Sequence, residues 1–221
     1  MLDALYDLRD NVHIQFCDNI LVHFSGHGST YDAKSFFESA VGSAGSIEAI
    51  CPSDRRADNE IPDISDRELN NIFSEVRDAK GENITFIADC CYSGGMMRAT
   101  DEVFGIRSLA PIRLGPMSML KAAERHPRRK SSVLASSDNW NGDISAFVHL
   151  AACQDFQLAG EVSLPDGRIY GAFTFALVND LKSRGSQGRT YTDVIQSIGQ
   201  LDKKQIPNVS GERKESRLWF K

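Results

Sequence analysis

Two runs of apolar and β-branched residues, each stopping abruptly at glycine, restrict what this 221-residue chain can fold into. The first starts at Ile20 and ends in Ser25-Gly26-His27-Gly28, and the second starts at Ile84 and ends in Asp89-Cys90-Cys91 before its glycines. Short apolar runs bounded by turn residues are typical of buried strands in a parallel sheet. Because ligands bind beyond the carboxyl ends of such strands, an imidazole and a thiol would face one crevice if the strands are neighbours.

The pattern around these runs predicts an α/β domain. Ser65 and Glu68 have the spacing of a capping box, and the helix that follows is expected to end at Gly81, just before the second run. A helix followed by a strand favours a right-handed parallel α/β unit. The other predicted helices cover about 2–10, 172–183 and 191–201, the last with a capping box formed by Thr190 and Asp193. The predicted strands cover about 19–24, 47–52, 84–88, 132–137, 147–153 and 217–220, and residues 25–30 are predicted to form a loop.

Composition excludes some classes of partner. The net charge is −5, which argues against nucleic-acid binding because phosphate contacts need a clustered basic surface. No apolar run approaches the ~18 residues that a membrane helix needs. The five cysteines lack disulfide or zinc spacing, and the first residues lack the order of a signal peptide. We therefore expect a cytoplasmic protein that binds neither membranes nor nucleic acid.

The two strand ends carry the residues of nucleophilic catalysis. A histidine beside a cysteine makes a general base and an activated thiolate, which suggests a cysteine peptidase. Side-chain alternation puts Cys90 and Cys91 on opposite sides of the strand and does not decide which one faces the crevice. His23 lies within the first strand and is expected to be a packed core or sheet-face histidine.

Ser25-Gly26-His27-Gly28 and Asp89-Cys90-Cys91-Tyr92-Ser93-Gly94, in this order, closely resemble the motifs of the metacaspases, particularly the fungal caspase-like domains. Further counterparts lie at 50–54, 64–70, 171–174 and 218–220. The resemblance implies a caspase-like three-layer α/β/α sandwich with a mostly parallel central sheet, in one domain over residues 1–221. The run of basic residues at about 121–131 is interpreted as a linker between a larger, large-subunit-like half (about 1–120) and a smaller, small-subunit-like half (about 132–221).

The resemblance assigns roles to individual residues. It makes His27 and Cys91 the catalytic pair, and cleavage after Arg or Lys follows from an acidic substrate pocket to which Ser25 and Asp89 belong. The backbone N–H groups of Gly28 and Cys91 are the candidate donors to the oxyanion. Protein or peptide substrates with a basic P1 residue are the expected partners. An enzyme of this preference could also process itself between Arg125 and Lys130, in the linker otherwise expected to be solvated.

The chain departs from the family pattern in three ways. The chain begins at what resembles the family's following helix, so the first strand and helix of the family domain are expected to be missing, which would expose a sheet edge. Tyr92 stands in place of a histidine that often follows the nucleophile. Asp54 and Asp66 match two members of a calcium-binding aspartate cluster, but Arg67 replaces a third, so calcium is a candidate ligand and no cofactor is expected to be required.

Two further classes of function remain. A catalytically inactive caspase-fold protein acting as a regulatory or interaction module is the main alternative, favoured by the missing front segment. A redox or phosphate-handling α/β protein has little support, because the chain has neither a Cys-x-x-Cys motif nor a phosphate-binding glycine loop.

Overall fold

A four-stranded sheet with helices on both faces organises the protein. The computed structural model describes residues 1–34, 36–37, 46–56, 61–91, 109–111, 115–154, 157–201 and 205–221. Its helices are α1 (Leu2–Asp10), α2 (Asp66–Lys80), α3 (Gly115–Glu124), α4 (Ala172–Arg184) and α5 (Tyr191–Ile198). Its strands are β1 (Ile20–Ser25), β2 (Gly28–Asp32), β3 (Ser46–Ile50), β4 (Ile64–Ser65), β5 (Ile84–Asp89), β6 (Val148–Ala151), β7 (Glu161–Ser163), β8 (Ile169–Gly171) and β9 (Asn208–Ser210).

The central sheet has the order β1-β5-β6-β9. Strands β1, β5 and β6 are parallel, and β9 pairs antiparallel with β6 at the edge. The two strands predicted from the apolar runs are therefore direct neighbours. Their register pairs Ile20 with Ile84 at the start and Ser25 with Asp89 at the end, so both strands stop at the same level.

Two separate hydrophobic cores cover the faces of this sheet. Side chains of α1 and α2 pack with one set of β1 and β5 residues, and side chains of α4 and α5 pack with the opposite set from β5 and β6. The result is a three-layer α/β/α sandwich with a mainly parallel sheet, which confirms the predicted fold class. A smaller sheet, β2-β3-β4, packs against α3 through a third apolar cluster at one end of the central sheet.

The predicted capping box is complete at the start of α5 but only half formed at the start of α2. The Thr190 side chain accepts from the amide of Asp193, whose carboxylate accepts from the amide of Thr190, so the predicted capping box is present. At α2 the Ser65 hydroxyl accepts from the Glu68 amide at 3.0 Å, but the Glu68 side chain does not complete the box. Among the described helices, none has the length and apolar character required to cross a lipid bilayer.

The strand predicted at 132–137 is wrong, because side chains rather than a neighbouring strand satisfy this backbone. The Arg67 guanidinium donates to the carbonyls of Ala135 and Ser137, each at 3.0 Å. The Asn71 amide donates to the carbonyl of Val133 at 3.0 Å. With its carbonyls bound in this way, the segment follows turns instead of pairing in a sheet.

Other boundaries also differ from the sequence prediction. The closing strand at 217–220 is instead a 3₁₀ turn at 218–220, because the rings of Trp219 and Phe220 pack on Tyr191. The predicted loop at 25–30 contains the start of β2, whose Gly-Ser-Thr sequence lacks an apolar pattern. Helix α3 and the short strands β7, β8 and β9 were not predicted, and α5 ends at residue 198 rather than 201. Tyr92, Ser93 and Gly94 lie outside the described residues.

Candidate active site

The candidate site lies where β1 and β5 end. Beyond the paired ends of the two strands, the Gly26 amide donates to the Asp89 carbonyl at 3.3 Å. Gly28 then approaches Cys91 so closely that a Cβ on Gly28 would lie 1.9 Å from the Cys91 carbonyl oxygen. Gly28 and Cys91, which follow the two strands, therefore lie in backbone contact.

An open groove of about 870 Å³ runs past the end of β1, and His27 lies exposed at its wall. The His27 carbonyl accepts from the Cys51 amide at 2.9 Å, which fixes the backbone of the histidine against the end of β3. The groove is lined by Met1, residues 23–27, residues 51–53, Arg55 and residues 109–111.

Cys91 has a fully buried side chain that packs in the α4/α5 core, whereas Cys90 packs in the α1/α2 core on the other face. The Cys91 sulfur accepts from the Ala159 amide at 2.8 Å, and the thiol donates to the Ala159 carbonyl at 3.2 Å. The two cysteines thus lie on opposite sides, as alternation predicts. In this conformation the Cys91 thiol is held by Ala159.

Gly28 is one of the two residues whose backbone N–H groups are candidate donors to an oxyanion. Gly28 pairs with Ile50 of β3. The neighbouring pair, His27 and Cys51, is hydrogen-bonded, because the Cys51 amide donates to the His27 carbonyl. Hydrogen-bonded and non-hydrogen-bonded pairs alternate in an antiparallel ladder, so the Gly28 N–H and C=O point away from β3. The Gly28 carbonyl there accepts from the Leu109 amide at 2.9 Å.

Asp89 is a buried carboxylate at the end of β5, adjacent to exposed Ser25 of β1. Its Oδ2 accepts from the amide of Thr174 at 2.9 Å and from the Thr174 hydroxyl at 2.6 Å. Thr174 lies in the first turn of α4, whose N-cap residue Gly171 has no capping side chain. Asp89 therefore caps α4 from another element and stabilises the positive end of the helix dipole.

Sequence reasoning missed two features of the groove. His23 is the sheet-face histidine of the two alternatives: it lies exposed on β1, and its Nε2 is 3.1 Å from the Thr174 hydroxyl. Arg55, which also lines the groove, forms an ion pair at 2.7 Å with buried Asp63 and donates to the Ala110 carbonyl at 2.6 Å. Gly171 has no side chain to cap α4, and this could have indicated that another residue caps the helix near His23. The sequence could not show which residue does so, because Asp89 belongs to a distant strand.

Cys51 lines the groove, but its thiol lacks the character of a nucleophile. Burial and the neighbouring Asp63 carboxylate raise the pKa of the Cys51 thiol to about 12. Cys51 therefore stays protonated at neutral pH, and a protonated thiol is a poor nucleophile.

The described residues at the predicted calcium ligands do not fit that ion. Asp54 is exposed, and the Asp66 carboxylate accepts from the Arg67 amide at 2.8 Å, while burial raises the pKa of Asp66 to about 6. Arg67, in place of a third acid, is a buried cation whose guanidinium lies 4.3 Å from the centre of the Phe37 ring. Across the described ranges, no three His, Cys, Asp or Glu side chains are grouped to hold a metal ion.

The fold and the paired strand ends define a caspase-like α/β protein. Residues 1–100 match the family model described as "Metacaspase, peptidase C14 domain". The N-terminal part of the chain is therefore similar to the peptidase domain of the metacaspases, which are cysteine peptidases.

A solved structure gives independent support for the fold. The crystal structure of protein GSU0716 from Geobacter sulfurreducens is similar over 94% of this chain and 70% of that chain, with a TM-score of 0.56 and 20% identity. Comparison with curated protein sequences gives no match.

Proposed function

We propose that this protein is a cysteine endopeptidase that cleaves after Arg or Lys, with Cys91 as nucleophile and His27 as general base. The backbone contact between Gly28 and Cys91, beside the groove that His27 lines, carries the proposal. A Cys–His pair at the ends of neighbouring parallel strands is the arrangement that thiol-dependent acyl transfer requires.

The reaction divides into two acyl-transfer steps. His27 takes the proton of the Cys91 thiol, and the sulfur attacks the peptide carbonyl carbon while the carbonyl electron pair moves to oxygen. The amides of Gly28 and Cys91 donate to that oxyanion. When the oxyanion collapses, the C–N bond breaks, the leaving amine takes the proton from His27, and water later hydrolyses the thioester by the same route.

The contact of Cys91 with Ala159 sets a condition on this reaction. The sulfur must leave the Ala159 backbone groups, by rotation about its Cα–Cβ bond, before it reaches a substrate in the groove. The structure is therefore consistent with a resting state in which the nucleophile is withdrawn.

The preference for a basic residue rests on the charge near the strand ends. Asp89 brings a carboxylate beside Ser25 at the groove end of the sheet. A buried carboxylate favours a cationic substrate side chain, which it can pair with. It disfavours an acidic one, because that side chain would lose its hydration without gaining a partner of opposite charge. The five cysteines, all free thiols, fit an enzyme of a reducing compartment such as the cytoplasm.

The second candidate function is a catalytically inactive caspase-fold regulator, and the burial of Cys91 favours it. A thiol that never leaves the α4/α5 core would act only in packing. The two candidates make different predictions about thiol reactivity, which a single experiment separates.

The test is covalent labelling with a peptidyl acyloxymethyl ketone that carries Arg at P1. We expect the wild-type protein to be labelled at Cys91, and turnover of an Arg peptide to fall roughly a thousandfold or more in Cys91→Ala, because the acyl-enzyme cannot form. Mass spectrometry of the labelled peptide identifies the modified cysteine. A panel of P1 Arg, Lys, Asp and Leu peptides measures the preference.

Two matched variants complete the design. Cys17→Ala removes an exposed thiol remote from the groove and should leave labelling unchanged, whereas Cys90→Ala tests the neighbouring thiol on the other face. Labelling that survives Cys91→Ala would reject Cys91 as the nucleophile. No labelling of folded wild-type protein would favour the inactive regulator, and turnover only after Asp would end the basic preference.

A further inference from the structure

Three side chains from three elements form one hydrogen-bonded chain between the core and the groove. Thr174 of α4 donates its hydroxyl to Asp89 at 2.6 Å, and the ring of His23 lies 3.1 Å from the same hydroxyl oxygen. Asp89 is fully buried, Thr174 is half-buried and His23 is exposed, so the chain runs outwards from β5 through α4 to β1.

The position of each proton follows from the donors present. A hydroxyl has one hydrogen, and at 2.6 Å from a carboxylate oxygen that hydrogen is directed to Asp89. Thr174 can then only accept from His23, which requires the imidazole hydrogen on Nε2. The negative charge of Asp89 thereby orients the His23 ring through the threonine.

The groove is lined by His23, whereas Asp89 lies behind it. A cationic side chain bound in the groove would therefore meet the imidazole and hydroxyl before the carboxylate. We infer that Thr174 is a positioning residue for Asp89 and that His23 is a specificity-determining residue, so that the preference for a basic P1 side chain depends on this three-residue chain. The inference rests on the proposed function, because it concerns the same substrate pocket.

The test is binding of two peptides that cannot be cleaved at P1. One ends in agmatine, which carries the guanidinium of arginine, and the other ends in neutral pentylamine. We expect Thr174→Val to reduce the preference for agmatine by about tenfold, the effect of losing one hydrogen bond to a charged group, and Thr174→Ser to retain it. His23→Leu should reduce the preference, whereas His23→Gln, which keeps a donor near the Nε2 position, should retain part of it.

Two further readouts separate positioning from folding. Valine preserves the shape of threonine and the amide that Asp89 caps, so thermal unfolding should show that Thr174→Val is folded. In ¹⁵N NMR spectra, neutral His23 should carry its hydrogen on Nε2 in the wild-type protein and lose this bias in Thr174→Val.

The outcomes distinguish this inference from the proposed function. Equal agmatine preference in wild type and Thr174→Val, or none in wild type, overturns the inference whatever the turnover shows. If turnover depends on Cys91 but its P1 preference is unchanged in the Thr174 and His23 variants, the proposed peptidase function is retained and the inference is rejected. Agmatine preference that depends on Thr174 in a protein without turnover supports the pocket and rejects catalysis.

Discussion

Glu68, in the first turn of α2, is a carboxyl buried against the α1 interface. Its Oε1 has no hydrogen-bond partner within the described part of the chain. Burial raises the pKa of Glu68 to about 8, although the Arg129 cation partly opposes this shift. Glu68 was predicted to complete the capping box of α2. Its carboxyl is instead neutral in the folded state at pH 7.

The raised pKa predicts a specific pH dependence of stability. Between about pH 4.5 and pH 8, Glu68 is deprotonated in the unfolded chain but protonated in the folded protein. The free energy of unfolding therefore falls as pH rises through this window. We expect Glu68→Gln to remove this loss and to gain stability relative to wild type by on the order of 1–4 kcal/mol between pH 4.5 and 8. Urea unfolding of both proteins at pH 4.5 and pH 8 measures this difference in the free energy of unfolding.

Glu82→Gln is the control for this prediction, since that carboxylate is exposed and pairs only weakly with Arg213 at 3.3 Å. Its unfolding curve should keep the wild-type pH dependence. If Glu68→Gln and wild type lose the same stability between the two pH values, Glu68 is charged in the folded protein.

At the scale of elements, the basic linker is docked on α1 rather than fully solvated. Arg128 pairs with Asp7 at 2.6 Å and with Asp10 at 2.8 Å. The Lys130 and Ser131 amides donate to Glu75 of α2. Segment 128–131 is thus held by two helices, and the predicted self-processing between Arg125 and Lys130 would require it to detach.

This docking predicts that the linker resists cleavage after its basic residues. We expect an Asp7→Asn/Asp10→Asn double variant to be cut by trypsin within 125–131 about two- to tenfold faster, because the ion pairs are exposed and individually weak. Raised salt should increase the wild-type rate in the same direction. Mass spectrometry of the early fragments identifies the cut sites.

Asp166→Asn provides the comparison, because this aspartate pairs with Arg168 in the β7–β8 hairpin, away from the linker. Its fragments should appear at the wild-type rate. Identical early cleavage within 125–131 in the double variant and wild type would show that α1 does not hold the linker.

At the scale of the whole molecule, the chain passes from the central sheet to the small sheet between Ser25 and Gly28. Gly28 is required there because of close approach and not because of its φ angle: a Cβ would meet the Cys91 carbonyl at 1.9 Å. The contact between Gly28 and the Cys91 backbone therefore joins the small sheet to the segment that follows β5.

Gly28→Ala should consequently disturb both the sheets and the site. We expect a loss of stability of about 3 kcal/mol or more in urea unfolding, since two backbones must separate to admit one methyl group. Gly26→Ala is the matched change, because its Cβ would meet only the edge of the Phe24 ring, which can turn. Equal stability of the two variants would mean that the Gly28 contact is loose.

The sequence by itself determined the elements whose signals are local. Apolar runs and glycine stops defined β1 and β5, and the Thr190–Asp193 capping box defined the start of α5, because these patterns act over a few residues. The same signals placed His27 and Cys91 at strand ends, and their catalytic roles stay predictions.

Only the tertiary structure decided which distant groups satisfy each backbone. Arg67 binds the carbonyls of Ala135 and Ser137 and so replaces a predicted strand by turns. Asp89 caps α4 across 85 positions, and Ala159 holds the Cys91 thiol across 68. Hydrogen bonds of this kind join residues brought together by folding, and periodicity within a short window carries no information about them.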